Sequence, residues 1–78
     1  RNPAYLSRLF RKGTGLSLSE YITQLRIERA KRQLTETNDK ISNIAEDVGY
    51  THFSYFAKLF KKMTGLSPQE YRKKHQVL

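Results

Sequence analysis

Residues 55–71 read YFAKLFKKMTGLSPQEY, and residues 5–21 read YLSRLFRKGTGLSLSEY. Set fifty residues apart without a gap, the two stretches are identical at ten of seventeen positions. Arg8 and Arg11 of the first are Lys58 and Lys61 of the second, so the charge is kept where the residue changes. A solenoid needs at least three stacked units. One repetition therefore means two copies of a single supersecondary unit, and predicts two equivalent contacts.

Within each copy the apolar residues fall at helical spacing: Tyr5, Leu6, Leu9 and Phe10 in the first, Tyr55, Phe56, Leu59, Phe60 and Met63 in the second. Each set forms one core-facing stripe. The shared Thr-Gly-Leu-Ser then ends the helix, because Gly15 or Gly65 can take the left-handed conformation of a C-terminal cap. Ser17 with Glu20, and Ser67 with Pro68 and Glu70, are N-terminal signals for the helices that follow. Leu16, Tyr21, Leu66 and Tyr71 recur as residues expected to bury.

Between the copies, Leu18, Tyr21, Ile22, Leu25, Ile27, Ala30 and Leu34 mark a connecting helix over residues 17–35, which polar residues 35–40 (TETNDK) bring to an end. Ile41, Ile44, Ala45 and Val48 predict a short amphipathic helix capped by Asn38 or Asp39, with Gly49 just past its end. Gly49, Tyr50 and Thr51 form a three-residue turn, and Thr51 is the expected cap of the next helix. Two short helices joined by such a turn, with small Ala45 at the crossing, make a helix-turn-helix arrangement whose second helix is expected to enter a DNA major groove.

The charge is distributed with the repeat. Of 78 residues, fifteen are Lys or Arg and seven Asp or Glu, a net charge of +8. Residues 1–13 carry +4, residues 14–50 carry −1 and residues 51–78 carry +5. The excess lies on the repeated units and not on the connector, as two contacts with a polyanion require. A basic surface serving only solubility need not follow the repeat.

Opposite the apolar stripe, Ala4, Ser7, Arg8 and Arg11 in the first copy match Ser54, Ala57, Lys58 and Lys61 in the second. Small side chains let the helix backbone approach base edges. Arg8 can offer a guanine two parallel donors, and Lys58 a flexible one. His52 and Phe53 stand where the second recognition helix begins. Arg11, Lys12, Lys61, Lys62, Arg72, Lys73 and Lys74 are candidate phosphate contacts.

At this point residues 44–72 (IAEDVGYTHFSYFAKLFKKMTGLSPQEYR) resemble the signature of the arabinose-regulator (AraC/XylS) family of bacterial transcription factors. Ile44 and Ala45, the Val48–Gly49–Tyr50 triplet, Tyr55 and Phe56, Phe60 with its two lysines, and Gly65 through Pro68 fall in register. Residues 2–21 resemble the first recognition helix and its continuation, and residues 27–34 (IERAKRQL) the linker helix. The resemblance implies an all-α domain over residues 1–78, with two helix-turn-helix units joined by a long connecting helix. Residues 1–16 are then a remnant of the first unit, lacking its N-terminal helices, and residues 39–78 the second unit with a terminal helix. It implies reading of two successive major grooves, usually to activate a promoter. The base-reading positions fall on Ala4, Ser7, Arg8, His52, Phe53, Ser54, Ala57 and Lys58. Double-stranded DNA is the expected partner, with RNA polymerase and an upstream sensor or receiver domain as further ones, in the cytoplasm. Among members, the wording is nearest to response-regulator types.

Other classes fit less well. With no Cys and only His52 and His75, no metal centre or other cofactor is expected. Neither paired carboxylates, a nucleophile with its base, nor a glycine-rich phosphate loop points to an enzyme. No apolar run reaches membrane-spanning length, so no membrane partner is expected. The alternatives are a helical protein-interaction module and a non-specific nucleic-acid binder. A chain that opens on Arg1 rather than Met is expected to be part of something longer. A core of this size rarely supplies more than ~3–5 kcal/mol, so the helices must pack efficiently. The connector, about 24 Å long at ~1.5 Å per residue, together with the helix widths, suits recognition helices one DNA turn apart, about 34 Å.

Overall fold

Two capping boxes set the helical frame. The computed structural model describes residues 11–77, and the regular structure among them is helical. A helical turn over residues 11–14 is followed by α1 (Leu18–Glu36), α2 (Ile41–Asp47), α3 (Phe53–Thr64) and α4 (Pro68–His75). Helix α1 opens where the Ser17 Oγ accepts from the Glu20 amide at 3.0 Å and the Glu20 carboxylate accepts from the Ser17 amide at 2.9 Å. Ser67 and Glu70 repeat this at α4, at 3.1 and 2.8 Å.

The turns before these boxes are also duplicates. Gly15 and Gly65 have φ of 80° and 87°, the left-handed region that glycine enters without steric cost. Their amides donate to the Arg11 and Lys61 carbonyls at 2.7 and 2.8 Å, closing the preceding helices. The Thr14 and Thr64 hydroxyls each accept from the amide two residues on, at 3.1 and 3.2 Å. The sequence repeat is thus a repeated turn in space.

One side of α1, Ile27, Ala30 and Leu34, is buried against Ile44, Ala45 and Val48 of the α2 segment and Phe56 and Phe60 of α3, with Tyr50 closing the cluster. Ile41, Leu59 and Tyr71 pack at its margin. Phe56 and Phe60 are fully buried. At ~1.5–3 kcal/mol for each large side chain removed from water, they are principal anchors of α3.

The structure revises several local expectations. Helix α1 runs through Glu36, because the Thr35 hydroxyl donates back to the Lys31 carbonyl at 3.0 Å and keeps the residue within the helix. The N-cap of α2 is Lys40, without a side-chain cap bond. Asn38 is engaged elsewhere, its Oδ1 accepting from Gln76 Nε2 at 3.0 Å, and the Asp39 amide donates to Thr37 Oγ1 at 3.1 Å. Helix α3 is preceded by His52 rather than Thr51, again without a side-chain cap. Tyr71 is half-buried as expected, whereas Tyr21 is 38% exposed.

The end of α1 is tied to α4. Arg72 Nε donates to the Leu34 carbonyl at 3.0 Å and its Nη2 to the Thr37 carbonyl at 3.2 Å. Gln76 Nε2 donates to the same Thr37 carbonyl at 3.1 Å. Carbonyls in the last turn of a helix lack partners within it, and these donors supply them.

Candidate nucleic-acid interface

Helix α3 is amphipathic in a way that presents its cations. With Phe56 and Phe60 buried, Ser54, Lys58, Lys61 and Lys62 stand exposed on the other side, and Ala57 is partly covered. The spacing 54, 58, 61 and 62 follows one helical face. Lys61 and Lys62 also lie in the last turn, where the helix dipole favours positive charge.

The start of α3 is aromatic. His52 and Phe53 are exposed, Phe53 to 46%. Phe53 pairs with Phe56, ring centroids 6.3 Å apart. Tyr50 packs against Tyr55 at 5.9 Å and Phe56 at 5.7 Å. Tyr55 differs from expectation most. Assigned to the core stripe, it is 58% exposed on α3. A stripe drawn through both Tyr55 and Phe56 is wider than the core can cover, and a narrower arc centred on Phe56 and Phe60 would have identified Tyr55 as an outward residue.

Among the phosphate candidates, Lys12, Lys61, Lys62, Lys73 and Lys74 are exposed. Arg11 lies 3.8 Å from the Glu20 carboxylate, an exposed pair that holds it weakly. Arg72 is the correction: its guanidinium is partly buried and bonded to the carbonyls at the end of α1, so it serves the fold. Ala4, Ser7 and Arg8 lie outside the described residues.

The two capping-box glutamates feel cations of this surface, Glu20 that of Arg11 and Glu70 that of Lys61. The amides and hydroxyls of Ser17 and Ser67 hold Glu20 and Glu70 below the usual carboxylate range, the backbone bond contributing most. Arg11 and Lys61 add a smaller pull in the same direction. Both carboxylates therefore stay charged near neutral pH while bonded to their own helix starts. Among the described residues, no group of three or more His, Cys, Asp or Glu is arranged to hold a metal ion, and no helix is long and apolar enough to cross a membrane.

A short helix, a glycine turn and a second helix anchored by aromatics and cationic outside define a helix-turn-helix domain. The model of the helix-turn-helix domain family matches residues 1–74, and the chain belongs to that family, in its AraC/XylS type. The chain is 49% identical over 72 residues to the HTH-type transcriptional activator Btr of Bacillus subtilis (strain 168), covering 92% of this chain and 14% of that protein. It is 44% identical over 75 residues to the transcriptional regulatory protein YesN of the same organism, covering 94% of the chain and 20% of that protein. The chain thus spans a fifth or less of these two relatives. The C-terminal domain of AraT, a response regulator from Geobacillus stearothermophilus, superposes with a TM-score of 0.94 at 39% identity, covering 99% of this chain and 64% of that one. The C-terminal domain of the response regulator YesN from Fusobacterium nucleatum superposes with a TM-score of 0.84 at 40% identity, covering 88% and 67%. These relatives support a DNA-binding role in transcriptional regulation.

Proposed function

We propose that the chain reads double-stranded DNA by sequence, with one recognition helix from each repeated unit in successive major grooves. The observation that carries this reading is the outward face of α3, where Ser54 and the cations of Lys58 and Lys61 lie opposite the buried Phe56 and Phe60. Base reading is assigned to His52, Phe53, Ser54, Ala57 and Lys58, and to Ala4, Ser7 and Arg8 in the first unit. Phosphate contact is assigned to Arg11, Lys12, Lys61, Lys62, Lys73 and Lys74. The longest dimension of the molecule, 43 Å, supports contacts one DNA turn apart, a separation of about 34 Å.

The two units differ where they read. Arg8 stands against Lys58 and Ser7 against Ala57, so the preferred site is not a palindrome. Neutralising about six phosphates gives a slope of log affinity against log salt near −5. The similarity to an activator and to response-regulator C-terminal domains supports a larger protein in which a receiver domain precedes this one; contact with RNA polymerase at an activated promoter is the partner that this reading adds.

Selection of duplexes from a random pool, at low and moderate salt, tests the reading. The expected result is an asymmetric consensus in two blocks one helical turn apart. Enrichment of no sequence, with binding that depends only on salt, would establish a non-specific binder instead.

A further inference from the structure

Arg26 is on α1, outside both repeated units, yet its side chain lies on the turn of the second helix-turn-helix. A Cβ built on Gly49 would sit 3.1 Å from both Cζ and Nε of Arg26, close enough that the guanidinium would have to give by a few tenths of an ångström to admit a side chain there. The Arg26 Cζ also stands 5.4 Å from the centroid of the Tyr50 ring, within the range of a cation–π contact. Tyr50 in turn packs on Tyr55 and Phe56 of α3. A continuous line of contact therefore runs from the connecting helix, through the turn, to the recognition helix.

Gly49 has φ of 109° and its amide donates to the Glu46 carbonyl at 3.0 Å, while the Tyr50 amide donates to Ala45 at 2.9 Å. Tyr50 is 9% exposed, and its buried hydroxyl has no hydrogen-bond partner among the described residues. Ring contact rather than a hydroxyl bond holds Tyr50, and the cation above it is part of that contact. Helix α3 begins only three residues later, without a side-chain cap. Its direction at the N-terminus depends on how the turn is held.

We propose that Arg26 is a positioning residue for DNA reading: by clasping Gly49 and Tyr50 it fixes the angle at which α3 leaves the turn and couples that angle to the connecting helix. Gly49 suits this turn by its positive φ, and its lack of a side chain lets the guanidinium lie close against it. The consequence for binding rests on the proposed sequence-specific reading. The clasp itself does not.

Four variants in the full chain test it: Arg26→Ala, Arg26→Lys, Gly49→Ala and the double variant with Ala at both positions. Without DNA, Arg26→Ala is expected to speed hydrogen exchange of the Gly49 and Tyr50 amides about tenfold relative to amides in the middle of α1. The stability lost on Gly49→Ala is expected to be smaller when Arg26 is already Ala, a non-additivity that contact between the two requires. With a duplex selected from the random pool, Arg26→Ala is expected to lower affinity about tenfold while affinity for an unrelated duplex and the salt slope stay unchanged; Arg26→Lys recovers part of the loss. Unchanged exchange and additive stabilities would overturn the clasp. Equal loss on both duplexes would reduce Arg26 to a structural role, and a salt slope smaller by about one would make it a phosphate ligand; either result overturns positioning. If the native chain selects no duplex, the functional reading and the positioning role fall together, while exchange and stability still decide whether the clasp exists.

Discussion

Phe60 meets Tyr71 edge-on, ring centroids 5.4 Å apart and planes at 85°. This contact joins α3 to α4, and Phe60 is fully buried while Tyr71 is half-covered. Truncating a buried Phe to Ala removes its transfer energy and leaves a cavity, together costing about 3–5 kcal/mol. For a domain this small, Phe60→Ala is expected to abolish most of the cooperative transition in urea. Tyr71→Phe keeps the ring pair and is expected to change the midpoint little. Equal destabilisation by the two would mean that the Tyr71 hydroxyl, and not the rings, carries the contact.

Arg72 and Lys62 are both basic, and the structure separates their work. Arg72 bonds to the Leu34 and Thr37 carbonyls, and Lys62 is exposed on α3. Arg72→Ala is expected to cost about 1–3 kcal/mol of folding stability, the range for charged donors leaving partly buried acceptors without partners. Lys62→Ala is expected to leave stability within about 0.5 kcal/mol, and to lower the salt slope of DNA binding by about one. Denaturant titrations paired with binding at several salt concentrations check both.

Lys58 separates base reading from phosphate contact. Exposed on α3 between Ser54 and Lys61, it is placed to reach a base edge in the proposed complex. Lys58→Ala is expected to relax preference at one base pair by about 1–3 kcal/mol, without altering preference elsewhere in the site. Competition binding against a panel of single-base variants of the selected duplex measures this. A uniform loss across the panel would place Lys58 on a phosphate.

These residues also show what the sequence could and could not reveal. The repeated Thr-Gly-Leu-Ser, with Glu20 and Glu70 following, marked both turns and both helix starts, because those interactions span no more than four residues and depend on local backbone geometry. The buried set Ile27, Ala30, Leu34, Ile44, Phe56 and Phe60 followed from helical periodicity. The ties of Arg72 and Gln76 to Thr37, separated by 35 and 39 residues, left no periodic trace, nor did Arg26 over Gly49. A cation bonded to a distant carbonyl looks, in sequence, like one waiting for a phosphate. Tyr55 was misplaced for a different reason: an aromatic beside Phe56 fits an apolar pattern whichever way it points.

Glycines offer a contrast that backbone conformation alone decides. Gly65 has φ of 87° with no atom of the described residues within 4 Å of a built Cβ, whereas Gly13 lies in the helical turn over residues 11–14, likewise clear of the described residues. Gly65→Ala therefore meets no clash but forces a left-handed alanine, at about 1–2 kcal/mol. Gly13→Ala is expected to stabilise by about 0.4–1 kcal/mol, by restricting the unfolded chain and favouring helix. Thermal melts of the two variants should move in opposite directions. Gly65→Asn should lose less than Gly65→Ala, since asparagine tolerates the left-handed region better.

The capping-box glutamates set an acid limit on the fold. Ser17 and Ser67 hold Glu20 and Glu70 below the ordinary glutamate range, so each carboxylate is more acidic folded than unfolded. Above the unfolded value, about 4.3, their stabilising contribution is fully present. It declines as pH falls through the depressed folded values, because the unfolded chain takes up protons first. Gln can accept the same bond from the serine amide but carries no charge. Replacing both glutamates by Gln is therefore expected to flatten the dependence of stability on pH below about 4.3, while the unaltered chain keeps a steeper decline there. Urea midpoints measured from neutral pH down to pH 3 compare the two chains. Parallel curves would show that the acid sensitivity arises in other carboxylates.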